Sequence, residues 1–151
     1  MTDTCDILIS GGGIAGLTAA AAFGTAGFKV ICVDPTPPVT DGAAQGADLR
    51  STAMLQPARV LLERAGLWDT LAPFAAPLQV MRIIDAGGAE AEPRVTREFD
   101  ASEISDAPFG WNFPNWLLRR EILARLAQLE NVDFRAGIST TQLFTRTNTA
   151  K

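Results

Sequence analysis

Ile7-Leu8-Ile9-Ser10-Gly11-Gly12-Gly13-Ile14-Ala15-Gly16 is the stretch on which the reading of this chain turns. A short apolar run stops at a row of glycines, and these give way to the alanine-rich segment Ile14 to Ala26, closed by Gly27. The apolar run reads as a strand buried on both faces, and the alanine-rich run with its glycine stop reads as a helix. A second apolar run, Val30-Ile31-Cys32-Val33, ends at Asp34 and Pro35 and reads as another strand buried on both faces. Strand, helix and strand joined by so short a crossover make the two strands parallel neighbours with a right-handed connection.

Gly11 to Gly16 satisfies the spacing G-x-G-x-x-G in the context the spacing needs, after a strand and at the opening of a helix. Gly11 permits the tight turn, Gly13 lets an anionic ligand approach the main chain, and Gly16 lets the helix sit close to the strand. The unpaired N–H groups at the helix start, at Ile14 and Ala15, together with the helix dipole favour a diphosphate. Asp34 stands 18 residues after Gly16, where a ribose-binding acid is expected, and a carboxylate there disfavours a 2′-phosphate. The pattern suits the adenosine end of FAD or NAD, and glycine spacing alone does not choose between them.

Composition narrows the function classes. The 151 residues are about one domain, and 47% hydrophobic against 20% charged residues is enough to bury a core. Thirteen Lys and Arg against 17 Asp and Glu leave a net charge of −4, without the basic excess that nucleic-acid binding by counterion release requires. The chain has no histidine, which removes the commonest general base and a common metal ligand. Cys5 and Cys32 are not at metal-site spacing, so no metal site is expected, and they read as free thiols in a reducing, cytoplasmic setting. The N-terminus lacks the basic start of a secretory signal, and Ile14 to Phe28 falls short of the apolar length a bilayer needs.

Beyond the second strand, Thr36 to Ala47 is rich in proline and glycine and reads as a loop. Met54 to Ala65 has a helical pattern ended by Gly66, and the segment from Leu78 to Gly88 reads as a strand paired in a hairpin with Arg94 to Phe99. These antiparallel strands are expected to pack beside the nucleotide-binding layer as the start of a second subdomain. Trp116 to Leu129 is the clearest amphipathic helix, Asn131 to Gly137 a third parallel strand, and Thr140 to Lys151 one arm of a hairpin whose partner is missing. The expected division is 1–75 for the βαβ unit and following helix, 76–110 for the β-rich segment, and 111–151 for the returning helix and strands. The fold class is α/β: a Rossmann-like βαβ layer with the start of an antiparallel β subdomain.

Three segments together resemble the aromatic-ring flavoprotein monooxygenases, and within them the ubiquinone-biosynthesis hydroxylases. They are Asp6 to Leu17 with the acid at Asp34; Asp48-Leu49-Arg50-Ser51-Thr52-Ala53-Met54, which looks like the family's Asp-x-Arg-x-x-Ala; and Asn115-Trp116-Leu117-Leu118-Arg119-Arg120, similar to its Asn-Arg-x-Leu-Arg helix start. The resemblance implies an N-terminal FAD-binding portion in which Arg50 lies against FAD near the diphosphate, a fitting place for a planar guanidinium. Asn115 matches a position that reaches the cofactor in related hydroxylases, and Asn is also a good N-cap for the helix that follows. Arg119 matches the later family arginine, whereas Trp116 stands where the family usually has an arginine. The residues expected to bind cofactor are therefore Gly11, Gly13, Ile14, Ala15, Gly16, Asp34, Arg50 and Asn115.

The resemblance implies a parent enzyme that uses NAD(P)H and O₂ to hydroxylate an electron-rich aromatic ring, a ubiquinone precursor, with the chemistry carried mainly by the flavin. No catalytic side chain is assigned in this segment. Phe109-Gly110-Trp111-Asn112-Phe113 reads as a core patch in preference to a substrate pocket. The family's later Asp-Gly and Gly-Asp segments lie beyond the point where the resemblance stops, so an incomplete fold with weak FAD affinity and no turnover is expected of these residues alone. An apolar quinone precursor implies contact with the inner-membrane surface and with other proteins of ubiquinone biosynthesis. Two other readings stand beside this one: an FAD- or NAD-dependent reductase or oxidase of the same fold, and a non-catalytic dinucleotide-binding domain.

Overall fold

A computed structural model of the chain describes residues 3–146 and 149–150. Strand β1 (Ile7–Ser10), helix α1 (Ile14–Thr25) and strand β2 (Val30–Asp34) form the expected unit, with β1 and β2 parallel in the register Ile7↔Val30 to Ser10↔Val33. Gly27, at φ +92°, lies just past the end of α1, in the left-handed conformation that glycine adopts without strain.

After the loop that follows β2 come β3 (Ser51–Leu55), α2 (Gln56–Arg64), α3 (Trp68–Leu71), β4 (Ala76–Pro77), β5 (Val80–Gly87), β6 (Glu92–Asp100), β7 (Gly110–Pro114), α4 (Asn115–Leu126), β8 (Val132–Ala136), β9 (Thr145–Arg146) and β10 (Thr149–Ala150). β8 pairs parallel with β2, completing a sheet of order β1-β2-β8. A second, antiparallel sheet has the order β3-β7-β4, and β5 and β6 form a separate hairpin. The architecture is thus mixed α/β, with parallel and antiparallel sheets in one chain.

The core lies between the parallel sheet and its helices. Leu17, Ala20 and Ala21 of α1 pack with Leu118 and Ile122 of α4, with Val30 and Cys32 beneath them and Leu62, Leu67, Leu71 and Phe113 closing the side. The small residues of α1 permit close approach: a Cβ on Gly24 would sit 2.2 Å from a methyl of Val132 on β8. Phe113 is fully buried, so the Phe109 to Phe113 segment contributes to the core as expected.

Four expectations change. β1 is not buried on both faces: Ile7 and Ile9 pack against the core while Leu8 is 55% exposed. β1 is an edge strand, and the helices cover only one side of it. The helix expected from Met54 starts at Gln56, because Pro57 fits a first helical turn and disfavours helix before it; Ser51–Leu55 is instead a strand paired with β7, from Ser51↔Pro114 to Leu55↔Gly110. The β5–β6 hairpin forms, but its side chains are exposed from Val80 to Ala86, so it does not pack beside the nucleotide-binding layer; the antiparallel layer with buried residues is β3-β7-β4. The segment from Thr140 holds both strands of a small hairpin, with Thr149 opposite Arg146 and Ala150 opposite Thr145.

Candidate functional site: the glycine turn and the Asp48 cluster

The turn between β1 and α1 is shaped by where side chains cannot be. Gly11 has φ +114°, outside the range of ordinary L-residues, and its N–H donates to Val33 O at 2.8 Å, tying the turn to β2. A Cβ on Gly16 would lie 1.9 Å from Gly11 O and 3.4 Å from Cγ2 of Ile9, so the helix start can approach the strand only with glycine there. Gly13 differs. Its φ of −71° and ψ of 177° suit any residue, and a Cβ on it would meet nothing within 4 Å. The protein itself makes no demand for glycine at 13.

The first turn of α1 is rich in donors. Leu17 N–H makes the first helical hydrogen bond, to Gly13 O at 2.9 Å, so the N–H groups of Ile14, Ala15 and Gly16 precede any intrahelical partner. Gly13 is the N-cap and offers no side-chain acceptor, and no acidic residue stands in the first turn. The positive end of the helix is thereby left for an external anion.

Asp34 ends β2 beside this turn. Gly12 N–H donates to its Oδ2 at 2.6 Å and Thr36 N–H to its Oδ1 at 2.8 Å, which fixes the carboxylate plane while leaving each oxygen a further lone pair. An acceptor held in this way is suited to the paired hydroxyls of a ribose. These features fit the adenosine diphosphate end of FAD: an amide cradle, a backbone position open to close approach, and an oriented carboxylate. The fit rests on the chain's own geometry.

The other two expected cofactor residues lie in a polar cluster at the start of α4. Asn115 is buried and is the first residue of the helix; Pro114 is the N-cap, and no side-chain cap bond is made. The N-cap role expected of Asn115 is therefore not what its side chain does. Its Oδ1 accepts the Thr52 hydroxyl at 2.6 Å and its Nδ2 donates to Asp48 Oδ2 at 3.0 Å. Arg50 donates to the same carboxylate twice, from Nε to Oδ1 at 2.8 Å and from Nη2 to Oδ2 at 2.9 Å. Arg119, one helical turn beyond Asn115, reaches Oδ2 at 3.4 Å. The hydrogen bonds from Arg50 and then from Asn115 hold the Asp48 carboxyl well below the usual carboxylate range. Asp48 opens the Asp-x-Arg segment read from the sequence, but it was given no role among the expected cofactor-binding residues. Its only local signal is the acid two positions before Arg50, since its other partners, Asn115 and Arg119, come from α4.

The two groups share one end of the molecule. α1 runs into β2 and α4 runs into β8, and because β2 and β8 are parallel, the two packed helices point the same way. The Arg125 guanidinium of α4 donates to the Thr25 hydroxyl of α1 at 3.1 Å, matching their C-terminal ends. Each helix has 12 residues, about 18 Å, so their N-termini also lie together, the glycine turn at one and Asn115 with Asp48 at the other. The loop that leaves Asp34 ends at this cluster, where Asn115 N–H donates to Arg50 O at 2.9 Å.

Other features carry less chemistry. Burial, and then Asp34, push the Cys32 thiol up to about 11, so it is a buried thiol in the core; Cys5 is also free. A concavity of ≈ 630 Å³ opens at the start of β2 and β8, lined by Asp6, Lys29, Asn131 and Arg135 among others, at the far end of the sheet from the turn. It is open and lined by charges of both signs, whereas the glycine turn presents a row of helix-start amides, so the glycine turn is the better candidate. Among the described residues, no group of three His, Cys, Asp or Glu side chains is placed to hold a metal ion, and no helix is long and apolar enough to cross a membrane.

Comparison with known proteins agrees with this geometry. Residues 6–58, which include the turn, Asp34, Asp48 and Arg50, match the FAD binding domain family. The ubiquinone hydroxylase UbiL of Rhodospirillum rubrum is 36% identical over 124 residues, covering 82% of this chain and 27% of the relative. A 3-(3-hydroxy-phenyl)propionate/3-hydroxycinnamic acid hydroxylase of Mycolicibacterium gilvum is 31% identical over 140 residues, covering 87% of this chain and 21% of the relative. The chain thus spans about a quarter of the length of the curated relatives it matches. Among solved structures, the flavin-dependent monooxygenase PieE in complex with FAD and substrate superposes with a TM-score of 0.73 at 21% identity, over 99% of this chain and 27% of that one. The p-nitrophenol 4-monooxygenase PnpA of Pseudomonas putida gives 0.71 at 20% identity, over 95% and 34%. At these identities the structures share a fold with this chain.

Proposed function

This chain is similar to the FAD-binding portion of the flavoprotein aromatic monooxygenases, and on that premise we propose that it holds the adenosine diphosphate half of FAD in an enzyme that hydroxylates an aromatic ring. The observation that carries the reading is the turn itself, with Gly11 at φ +114°, an open Gly13 and unpaired helix-start amides, set beside a carboxylate already oriented by Gly12. In this reading the Ile14 and Ala15 amides bind the diphosphate, Asp34 takes the ribose hydroxyls, and Arg50 adds a guanidinium from the neighbouring helix end. Bound flavin would supply the redox chemistry between NAD(P)H and O₂. The chain's own contribution is binding and orientation, so the lack of histidine is no obstacle.

The substrate class we propose is an electron-rich phenol on the way to ubiquinone, supported by the 36% identity to the UbiL relative. Such a substrate is apolar, and peripheral contact with the inner membrane belongs to the same reading. A second substrate class has its own support, because three relatives carry the name 3-(3-hydroxy-phenyl)propionate/3-hydroxycinnamic acid hydroxylase. The test uses the natural full-length protein, first assayed for bound FAD and then for NADH or NADPH oxidation with each substrate. Hydroxylated prenylphenol formed in step with nucleotide oxidation supports the proposal. Turnover of the carboxylated phenol alone moves the substrate to the second class, and a protein that retains no FAD overturns the reading.

A further inference from the structure

The cluster around Asp48 is more fully connected than a solvated loop requires. The Asp48 side chain is 12% exposed while that of Arg50 is 83% exposed, although the two share a two-point contact. The acid is held from behind, by Asn115 and Arg119 of α4 and through Asn115 by Thr52 of β3, and it holds in front of it a guanidinium that is otherwise in water. An exposed ion pair of this kind contributes little to stability, so stability is a poor account of why it is supported by three further side chains. The support makes sense if the direction of the guanidinium matters. Arg50 Nη1 makes no hydrogen bond within the described residues, and the whole cluster lies at the helix end that also presents the Gly11–Gly16 amides.

We propose that Asp48 is a positioning residue that holds the Arg50 guanidinium, free edge outward, as a second anion-binding arm beside the glycine turn. The proposal rests on the FAD reading above and adds to it the residue that sets the arm. Two effects of the acid oppose each other. Its negative charge offsets part of the attraction of Arg50 for phosphate, but it faces the diphosphate only across the guanidinium and is screened by solvent and by Asn115 and Arg119. Against that, an unheld arginine would lose the freedom of its long side chain each time a ligand bound, and pre-ordering removes that cost. The pre-ordering wins, because the screened repulsion is the smaller quantity.

The test is a double-mutant cycle on FAD affinity in the natural full-length protein, measured by quenching of flavin fluorescence for wild type, Asp48→Asn, Arg50→Gln and the double variant. Asp48→Asn is expected to raise the Kd about tenfold when Arg50 is present and to leave it unchanged when Arg50 is Gln. A merely structural role for Asp48 would weaken binding by the same factor in both backgrounds, and that result overturns the proposal, as does unchanged or tighter binding by Asp48→Asn alone. Should Asp48→Asn fail to fold, Arg50→Lys decides: it keeps the charge but loses the two-point fork, so it is expected to bind as weakly as Arg50→Gln, and wild-type affinity refutes the role of orientation. If wild type binds no FAD, this proposal falls together with the FAD reading. If wild type binds and the two single losses multiply independently, this proposal falls alone.

Discussion

Replacing Gly13 with alanine separates what the folded chain needs from what its ligand needs. In the protein alone the substitution is nearly free: φ −71° and ψ 177° are ordinary for alanine, and the new methyl meets nothing within 4 Å. Two small effects oppose each other. Alanine is a poorer N-cap than glycine, at a cost of roughly 0.5–1 kcal/mol, while reduced freedom of the unfolded chain returns about 0.4–1 kcal/mol. The net is within about 0.5 kcal/mol, or a shift of no more than about 2 °C in Tm for a protein of this size. With a diphosphate packed on the amides of the next residues, the same methyl occupies ligand space. Overpacking of that kind costs roughly 1–3 kcal/mol, which at about 1.4 kcal/mol per decade is a loss of about five- to more than a hundredfold in affinity. Differential scanning fluorimetry without ligand and an FAD titration, on the same two proteins, measure both halves. An unchanged Tm with unchanged FAD affinity would refute the reasoning, since it would show that no ligand approaches Gly13.

Gly16→Ala is expected to do the opposite, lowering stability by about 3 kcal/mol or more in thermal or urea unfolding, because its Cβ would stand 1.9 Å from a main-chain oxygen that cannot yield. Cys32, buried and with its thiol pushed up to about 11, is expected to escape alkylation by iodoacetamide at pH 8 in the native protein and to label only on unfolding; peptide mapping that finds it modified in the native state contradicts this. Asp48 is lowered in the folded state, chiefly by Arg50, so its contribution to stability is fully present above the ordinary carboxylate pKa near about 4 and is lost as pH falls further. Thermal melts of wild type and Asp48→Asn should therefore show a modest gap at pH 7 that narrows progressively as pH falls below about 4, and a gap that widens in acid sinks the assignment.

What the sequence disclosed and what it concealed divide by range. The β1-α1-β2 unit and the α4-β8 return are written locally, in apolar runs, alanine content and glycine stops, and they stand where those signals put them. Strand β3 was hidden because Ser51–Leu55 has no strong pattern of its own and becomes a strand only by pairing with Gly110–Pro114, more than fifty residues away. The exposure of Leu8 was equally invisible, since an apolar run states what a strand would bury and not which of its faces is covered. At the site, Gly11 and Gly16 were readable because backbone geometry demands glycine there, and Gly13 and Asp34 because a bound dinucleotide asks for those residue types at that spacing. Asn115 was legible as a residue of interest, but its partners Thr52 and Asp48 are brought to it by the antiparallel sheet and the loop, and no local spacing encodes them.

The central claim is that the turn at residues 11–16 grips the diphosphate of FAD, and a crystal structure of the natural full-length protein grown with FAD tests it most directly. The account predicts phosphate oxygens within hydrogen-bond distance of the Ile14 or Ala15 amide and ribose hydroxyls on the Asp34 carboxylate. FAD bound with its diphosphate elsewhere, or with Asp34 turned away from the ribose, would contradict it.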